Sequence, residues 1–222
     1  MPTATFDMLG TFFSLESLRP RLSALGVPAP TLELWFAESL RDFFALSHAG
    51  GYAPIREVLE AALPRTLALV GRGDVAPAHT AQVLEGLKEL EPAEGAHEAC
   101  ELLSRAGWKL IALTNGGEAS TRALLTRAGL LDRFSAVLST DSVRTTKPHP
   151  TVYAVARERA EGEPWMVAAH AWDLQGAKRA GMRTAWVSRK EQRWLDVFPE
   201  PEVRAPDLAT VARELLGTAR QG

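Results

Sequence analysis

The sequence predicts an α/β protein: a parallel β-sheet layered between helices on both faces, interrupted near its start by an all-helical insertion. Three observations predict this. A short apolar segment over residues 3–9 is β-compatible and runs into the turn signal Gly10-Thr11. From about residue 15 to residue 90 the apolar positions recur at helical spacing and nothing strand-like intervenes. After Pro92, short apolar strands alternate with helical patterns, the texture of a parallel sheet whose crossovers are helices.

The elements follow in order. Strand 3–9 leads to a helical pattern carried by Leu15, Leu18, Leu22 and Leu25, which Pro28 and Pro30 break. Leu32, Leu34, Trp35, Leu40, Phe43, Phe44 and Leu46 give the next helix, up to Gly50-Gly51, and residues 58–70 and 83–90 continue in that style. Beyond Pro92 the reading is helix 94–105, strand 110–113, helix 120–128, strand 136–139, helix 151–159, strand 166–169, helix 174–180 and strand 184–187. Pro206-Asp207 then introduces a closing helix over 208–216, and there is no internal repeat.

A chain of 222 residues can bury a sizeable core, either as one domain or as a core with an insertion. Apolar residues at 46% and charged residues at 23% exclude the disordered class. A net charge of -2 with mixed signs supplies no basic field for a phosphate backbone, so nucleic acid is not expected as a partner. The Arg- and Lys-rich stretch from Arg183 to Arg193 reads as a solvated loop and a helix start. Cys100 is the single cysteine, so no intrachain disulfide forms and a reducing cytoplasm is the simplest home. The first residues lack a basic segment followed by an apolar core, and no apolar run approaches the roughly 20 residues that span a bilayer. The expectation is a cytoplasmic protein with a small-molecule substrate and no membrane partner.

In sheets of this kind ligands sit beyond the carboxyl ends of the strands. The first strand runs into Asp7, and an acidic side chain there needs either hydrogen-bonded partners or a chemical task. The second ends in Thr114-Asn115-Gly116-Gly117, whose hydroxyl, amide and glycine-freed N–H groups could form an anion-binding nest. The loop after the third carries Lys147-Pro148, and the fourth ends in Ala168-Ala169-His170-Ala171-Trp172-Asp173. Four strand ends thus bring two carboxylates, an anion cradle and an ammonium to one edge. Each has a plainer reading: Thr11 and Thr114 as turn hydroxyls, Lys147 as a surface cation, Asp173 as the cap of the helix from Leu174, and Trp172 and Tyr153 as packing.

Taken in order, Asp7-Met8-Leu9-Gly10-Thr11, Leu113-Thr114-Asn115-Gly116, Lys147-Pro148 and Ala171-Trp172-Asp173 resemble the four motifs of the haloacid dehalogenase-like hydrolase superfamily. The sequence is most similar to its L-2-haloacid dehalogenase (type II) branch, through Asp-x-x-Gly-Thr, Ser-x-Asp at Ser139 to Asp141, Lys-Pro-x-x-x-Val-Tyr at Lys147 to Tyr153, and the run from Ala171 to Gly181. The likeness covers nearly the whole chain. It implies a three-layer Rossmann-like core over 1–14 plus 91–222 and an all-helical cap over 15–90. It implies that Asp7 attacks the substrate carbon to form an ester that water then hydrolyses. Thr11, Thr114 and Asn115 would bind the substrate carboxylate or orient Asp7. Lys147 would hold Asp7 ionised, Asp173 would position or deprotonate water or fix Lys147, and Tyr153 would support Lys147. Leu9 and Trp172 fall on the substrate side of the same motifs. No cofactor is expected, and a homodimer is compatible because this branch often dimerises.

Two positions depart from the pattern. Where the branch carries an arginine after a Leu-Trp pair, Leu34-Trp35 is followed here by Phe36, and a ring cannot replace a guanidinium that binds an anion. Arg41 lies further along the same helix as a displaced substitute. Where the branch has asparagine two residues before the tryptophan, this chain has His170, which can exchange a proton near neutral pH or bond to backbone in the core. Three readings follow. The first is metal-independent hydrolysis of a small 2-haloacid or related carbon–halogen compound. The second is a phosphatase with Mg²⁺ held by Asp7 and Asp173, although the second acid that phosphatases place at the position of Leu9, and another at Ala168, are missing. The third is a non-catalytic binding member of the family.

Overall fold

The structure is a computed structural model and describes residues 1–218. In chain order the elements are β1 (Thr3–Asp7), β2 (Phe13–Ser14), α1 (Arg19–Ser23), α2 (Thr31–His48), α3 (Ile55–Leu69), α4 (Pro77–Glu85), β3 (Glu91–Pro92), α5 (Ala96–Arg105), β4 (Lys109–Thr114), α6 (Glu118–Arg127), β5 (Ala136–Ser139), α7 (Pro150–Arg159), β6 (Pro164–Ala168), α8 (Ala171–Arg179), β7 (Arg183–Val187), β8 (Val203–Ala205) and α9 (Leu208–Thr218). Two compact units result: Met1–Phe13 with the chain from Pro92 onward, and Ser14–Glu91. Where the chain leaves and re-enters the first unit, β2 and β3 pair as a two-stranded ribbon.

The first unit is built on a six-stranded sheet in the order β5-β4-β1-β6-β7-β8, every pairing parallel. Its strands read as almost continuous apolar runs because both faces are covered. Residues of α7 and α8 such as Val152, Ala156, Leu174 and Ala177 form a core with Ile111, Leu113, Met166 and Trp186 of the strands. On β4, β7 and β8 the helices α5 and α9 pack against one another. The sheet order places β1 between β4 and β6, so the carboxyl ends of three adjacent strands share one edge, with Asp7 opposite Leu113 and Thr114 opposite Ser139.

The second unit is helical throughout except at its ribbon end. Within it α2 packs on α3 and α3 on α4, with Trp35, Phe43 and Leu63 buried and the Trp35 indole donating to the Leu59 carbonyl at 3.0 Å. Among the described residues no helix is long and apolar enough to cross a membrane.

Four expectations need correction. The first strand stops at Asp7, because Met8 to Phe12 turn back on it, Phe12 N–H donating to the Asp7 carbonyl at 3.2 Å and Phe13 N–H to that of Met8 at 2.8 Å. The helix expected from Leu174 starts at Ala171, so Asp173 lies in its first turn and His170 is the N-cap. No helix starts in the basic stretch to Arg193, which forms β7 and a turn closed by Gln192 N–H on the Ser188 carbonyl at 2.7 Å. A sixth strand, β8, extends the sheet beyond β7.

Candidate active site

Asp7 ends β1 only 4% exposed, and a donor meets each of its oxygens. Lys147 Nζ donates to Oδ1 at 2.9 Å and the Thr11 hydroxyl to Oδ2 at 2.6 Å. Thr11 Oγ1 in turn accepts the N–H of Ala169 at 2.9 Å, which ties the turn after β1 to the end of β6. That turn needs Gly10 twice over. Its φ of +82° lies in the region side chains avoid, and a methyl group there would stand 2.8 Å from His170 Nε2.

Lys147 arrives on the loop after β5. Its own N–H donates to Asn115 Oδ1 at 3.1 Å, Ser139 Oγ donates to the Gly116 carbonyl at 2.7 Å, and Thr140 Oγ1 to that of Asn115 at 3.3 Å. Thr114 Oγ1 accepts the Gly116 N–H at 2.8 Å, shaping the same corner. Asp173 approaches from the first turn of α8 and receives Lys147 Nζ on Oδ2 at 2.9 Å and the Tyr153 hydroxyl on Oδ1 at 2.5 Å. Gly176 permits this contact of α8 with the Lys147 loop and α7, since a methyl group there would fall 2.6 Å from the Pro148 carbonyl oxygen and 2.7 Å from Tyr153 Cε2.

The electrostatics follow from burial and count. Lys147 and Asp173 are fully buried, and one ammonium stands between two carboxylates. Burial works against the charge on Lys147, but Asp173 and Asp7 outweigh it and hold its pKa above the ordinary value. Asp173 is raised, first by burial and further by the negative charge of Asp7, with the ammonium opposing. Burial, and then the charge of Asp173, push the Tyr153 hydroxyl well above its usual range, so it serves as a donor. The arrangement presents an oriented carboxylate beside a permanent cation. It suits a divalent metal poorly: the ammonium already occupies the space between the two acids, and no group of three or more His, Cys, Asp or Glu ligands occurs among the described residues.

Of the residues singled out in the sequence, Asp7, Thr11, Asn115, Lys147, Asp173 and Tyr153 are linked by these hydrogen bonds, and Thr114 supports the corner. Tyr153 requires a correction: it bonds Asp173 and reaches Lys147 only through that carboxylate. Leu9 is partly buried and runs past Gly116. His170 is buried and stacked on the partly buried Trp172, ring centroids 5.4 Å apart. Arg41 also needs correction as an anion receiver, because its guanidinium is bound to Glu38 and Asp42 on the exposed side of α2. Phe36 is buried on the same helix. Sequence reasoning missed Glu191, whose Oε2 accepts the Ala171 N–H at 3.0 Å and whose Oε1 lies 3.5 Å from His170 Nδ1. It also missed Lys190, whose Nζ would lie 3.2 Å from a methyl group on Gly10. Both sit in the turn after β7, where no motif marked them; the one available signal was that β7 neighbours β6 and ends at the same edge.

A family model for haloacid dehalogenase-like hydrolases matches residues 1–181. The (S)-2-haloacid dehalogenase of Pseudomonas sp. (strain YL) is 30% identical over 220 residues, covering 96% of this chain and 94% of that protein. The structure of L-2-haloacid dehalogenase from Xanthobacter autotrophicus superposes with a TM-score of 0.86 at 26% identity, covering 98% of this chain and 99% of that one. A second structure of that enzyme, with chloropropionic acid covalently bound, matches to the same extent.

Proposed function

This chain belongs to the haloacid dehalogenase-like hydrolase family and is a hydrolase, and from that premise we propose that it removes halide from a small 2-haloacid through an ester on Asp7. The observation that carries the reading is the state of Asp7: a buried carboxylate with one oxygen held by Thr11 and the other by Lys147, at the carboxyl edge of the central strand. A carboxylate oxygen attacks C2, the C–O bond forms as the carbon–halogen bond breaks, and halide leaves with the bonding pair. Water then adds at the Asp7 carboxyl carbon, the ester C–O bond to the protein breaks, and a 2-hydroxy acid, a proton and the free carboxylate result. Lys147 stabilises the negative charge that builds on the carboxyl group during the second step. Asp173, fixed by Tyr153, keeps Lys147 aimed at Asp7. Thr114, Asn115, Leu9, His170 and Trp172 line the substrate side of the core, and the helical insertion over 15–90 serves as its cap. The relative with covalently bound chloropropionic acid supports this route.

No metal is assigned a step, because the cation between the two acids is Lys147. The test is a single turnover with 2-chloropropionate in H₂¹⁸O followed by mass spectrometry of the peptide containing Asp7. Label in that carboxylate is the expected result. Phosphate release from small phosphate esters, stopped by EDTA, with no label from haloacids, would make Asp7 a phosphoryl acceptor instead.

A further inference from the structure

Strand β6 passes into α8 through Ala169 and His170 alone, so this short connection sets where Asp173 lies relative to Asp7. Ala169 is tied on both sides. Its N–H donates to Thr11, which is itself bonded to Asp7, and its carbonyl accepts the Trp186 indole at 3.1 Å. The start of α8 needs a tie of its own, because the first N–H groups of a helix have no partner within it. The N-cap side chain, His170, supplies none. The Asp173 and Leu174 N–H groups turn to the His170 carbonyl at 3.1 and 3.3 Å, and the N–H of the buried Ala171 donates to Glu191 Oε2 at 3.0 Å.

Glu191 reaches this point from a turn that is itself held. The Gln192 N–H closes the turn on the Ser188 carbonyl at 2.7 Å, and the Ser188 N–H donates to the Ala205 carbonyl of β8 at 2.8 Å. Gln192 takes φ +58°, a left-handed conformation that persists only where its surroundings impose it. The other oxygen of Glu191 faces His170 Nδ1 at 3.5 Å, so one carboxylate spans the last residue of the connection and the first of the helix. Asp173 lies in the same helical turn as Ala171. Tyr153 holds its side chain from α7, and Glu191 holds its backbone turn from the β7 side.

We infer that Glu191 is a positioning residue for the hydrolytic step: by fixing the Ala171 amide it fixes Asp173, and through Asp173 the ammonium of Lys147 that faces the Asp7 carboxyl group. This deepens the dehalogenase reading and rests on it. The two steps feel the loss of such a restraint unequally. In the first, charge leaves the Asp7 carboxylate, and a displaced ammonium costs little. In the second, negative charge builds on that carboxyl group, and a donor acts there only when it is aimed at the atom that becomes charged.

The test is a rapid-quench single turnover of 2-chloropropionate by the full-length protein and its Glu191→Ala, Glu191→Gln and Glu191→Asp variants. Mass spectrometry of the peptide containing Asp7 gives the rates of ester formation and ester loss separately. In Glu191→Ala, ester loss should slow about 10- to 100-fold, the scale of a misplaced reacting group, while ester formation changes less than about 3-fold. Ester then accumulates at steady state, so kcat and KM fall together, and kcat/KM, which contains only the steps through halide release, is retained. Glu191→Gln keeps the acceptor without the charge and should run at near wild-type rates. Glu191→Asp keeps the charge but withdraws it by one methylene, and should resemble Glu191→Ala. Both steps slowed equally in Glu191→Ala, neither step changed, or Glu191→Asp faster in ester loss than Glu191→Gln overturns the assignment. Amide hydrogen exchange across Ala169 to Leu174 should rise in Glu191→Ala and Glu191→Asp and stay at the wild-type level in Glu191→Gln, and exchange unchanged in all three overturns it whatever the substrate. A wild type that forms no Asp7 ester with any haloacid overturns the dehalogenase reading alone, since the exchange measurement still decides whether Glu191 holds this turn.

Discussion

Replacing Lys147 by methionine isolates the interaction at the centre of the site. The side chain keeps its length and apolar stem, but the ammonium that faces Asp7 and Asp173 at 2.9 Å each is lost. Removing one partner of a buried ion pair leaves an uncompensated buried charge and typically costs about 3–5 kcal/mol. Here two carboxylates are left together, which puts the loss at or above the top of that range near neutral pH. The pH dependence carries the sharper test. The folded state already binds a proton on Asp173 more tightly than the unfolded chain, whose value is close to 3.8, so its ionisation lowers stability as pH rises from there towards the raised folded pKa. Without the ammonium that pKa climbs further. The destabilisation should therefore shrink as the pH is lowered from about 8 to about 5, by up to ~1.4 kcal/mol per pH unit for one proton. In the wild type Lys147 contributes at every pH below its ordinary 10.5 and loses that contribution only as pH rises through its raised folded value. Urea unfolding of both proteins across this range, with equal m-values, measures the difference. A loss below about 1 kcal/mol, the scale of an exposed pair, or a loss that is the same at both pH values, would refute the assignment of a dry ion triad.

Asp7→Asn is expected to abolish turnover while circular dichroism and unfolding remain close to wild type, because the amide is nearly isosteric and a poor nucleophile. Tyr153→Phe removes a donor from Asp173, which favours the neutral acid. The acidic limb of kcat/KM should move to higher pH, and unfolding experiments should show a loss of about 1.5–3 kcal/mol. EDTA should leave activity toward 2-chloropropionate unchanged. Phe36→Arg should raise that activity, and calorimetric melting should register the cost of a buried guanidinium on α2.

The parts of the site legible in the sequence were those at which a strand end and a motif coincide. Asp7, Thr114-Asn115 and Asp173 each follow an apolar run that could be read locally, and Lys147 is named by its neighbours Pro148, Val152 and Tyr153. What linked them was less visible. The Tyr153 hydroxyl lies within reach of both Asp173 and, through it, Lys147, and the choice depends on how close α7 comes to α8, a distance fixed by the bare Cα of Gly176. The start of α8 was placed three residues late because Asp173 and His170 are both competent caps, and only packing decides between them. Strand β8 escaped notice because Val203–Ala205 is three residues long, has an exposed arginine in its middle and lies between prolines, so neither alternation nor an apolar run could develop. Lys190 and Glu191 belong to a turn with no motif of its own, and their relevance arises from the adjacency of β6 and β7, a property of topology.

The hydrogen bond from the Ala169 amide to Thr11 has a further consequence for how the protein can vary. A peptide N–H can only donate, so the single hydrogen of the Thr11 hydroxyl is left for Asp7, and the direction of the relay is dictated by main chain. The Ala169 carbonyl is engaged as well, accepting the Trp186 indole at 3.1 Å. Position 169 can thus exchange its side chain within the limits of packing without touching the alignment of the nucleophile, and proline is the one residue that would erase it. At position 11 serine would preserve the relay, whereas valine, equal in shape, would release both ends at once. Tolerance to substitution around the nucleophile is therefore set by which residues can keep an amide and a hydroxyl in line, and much less by their charge.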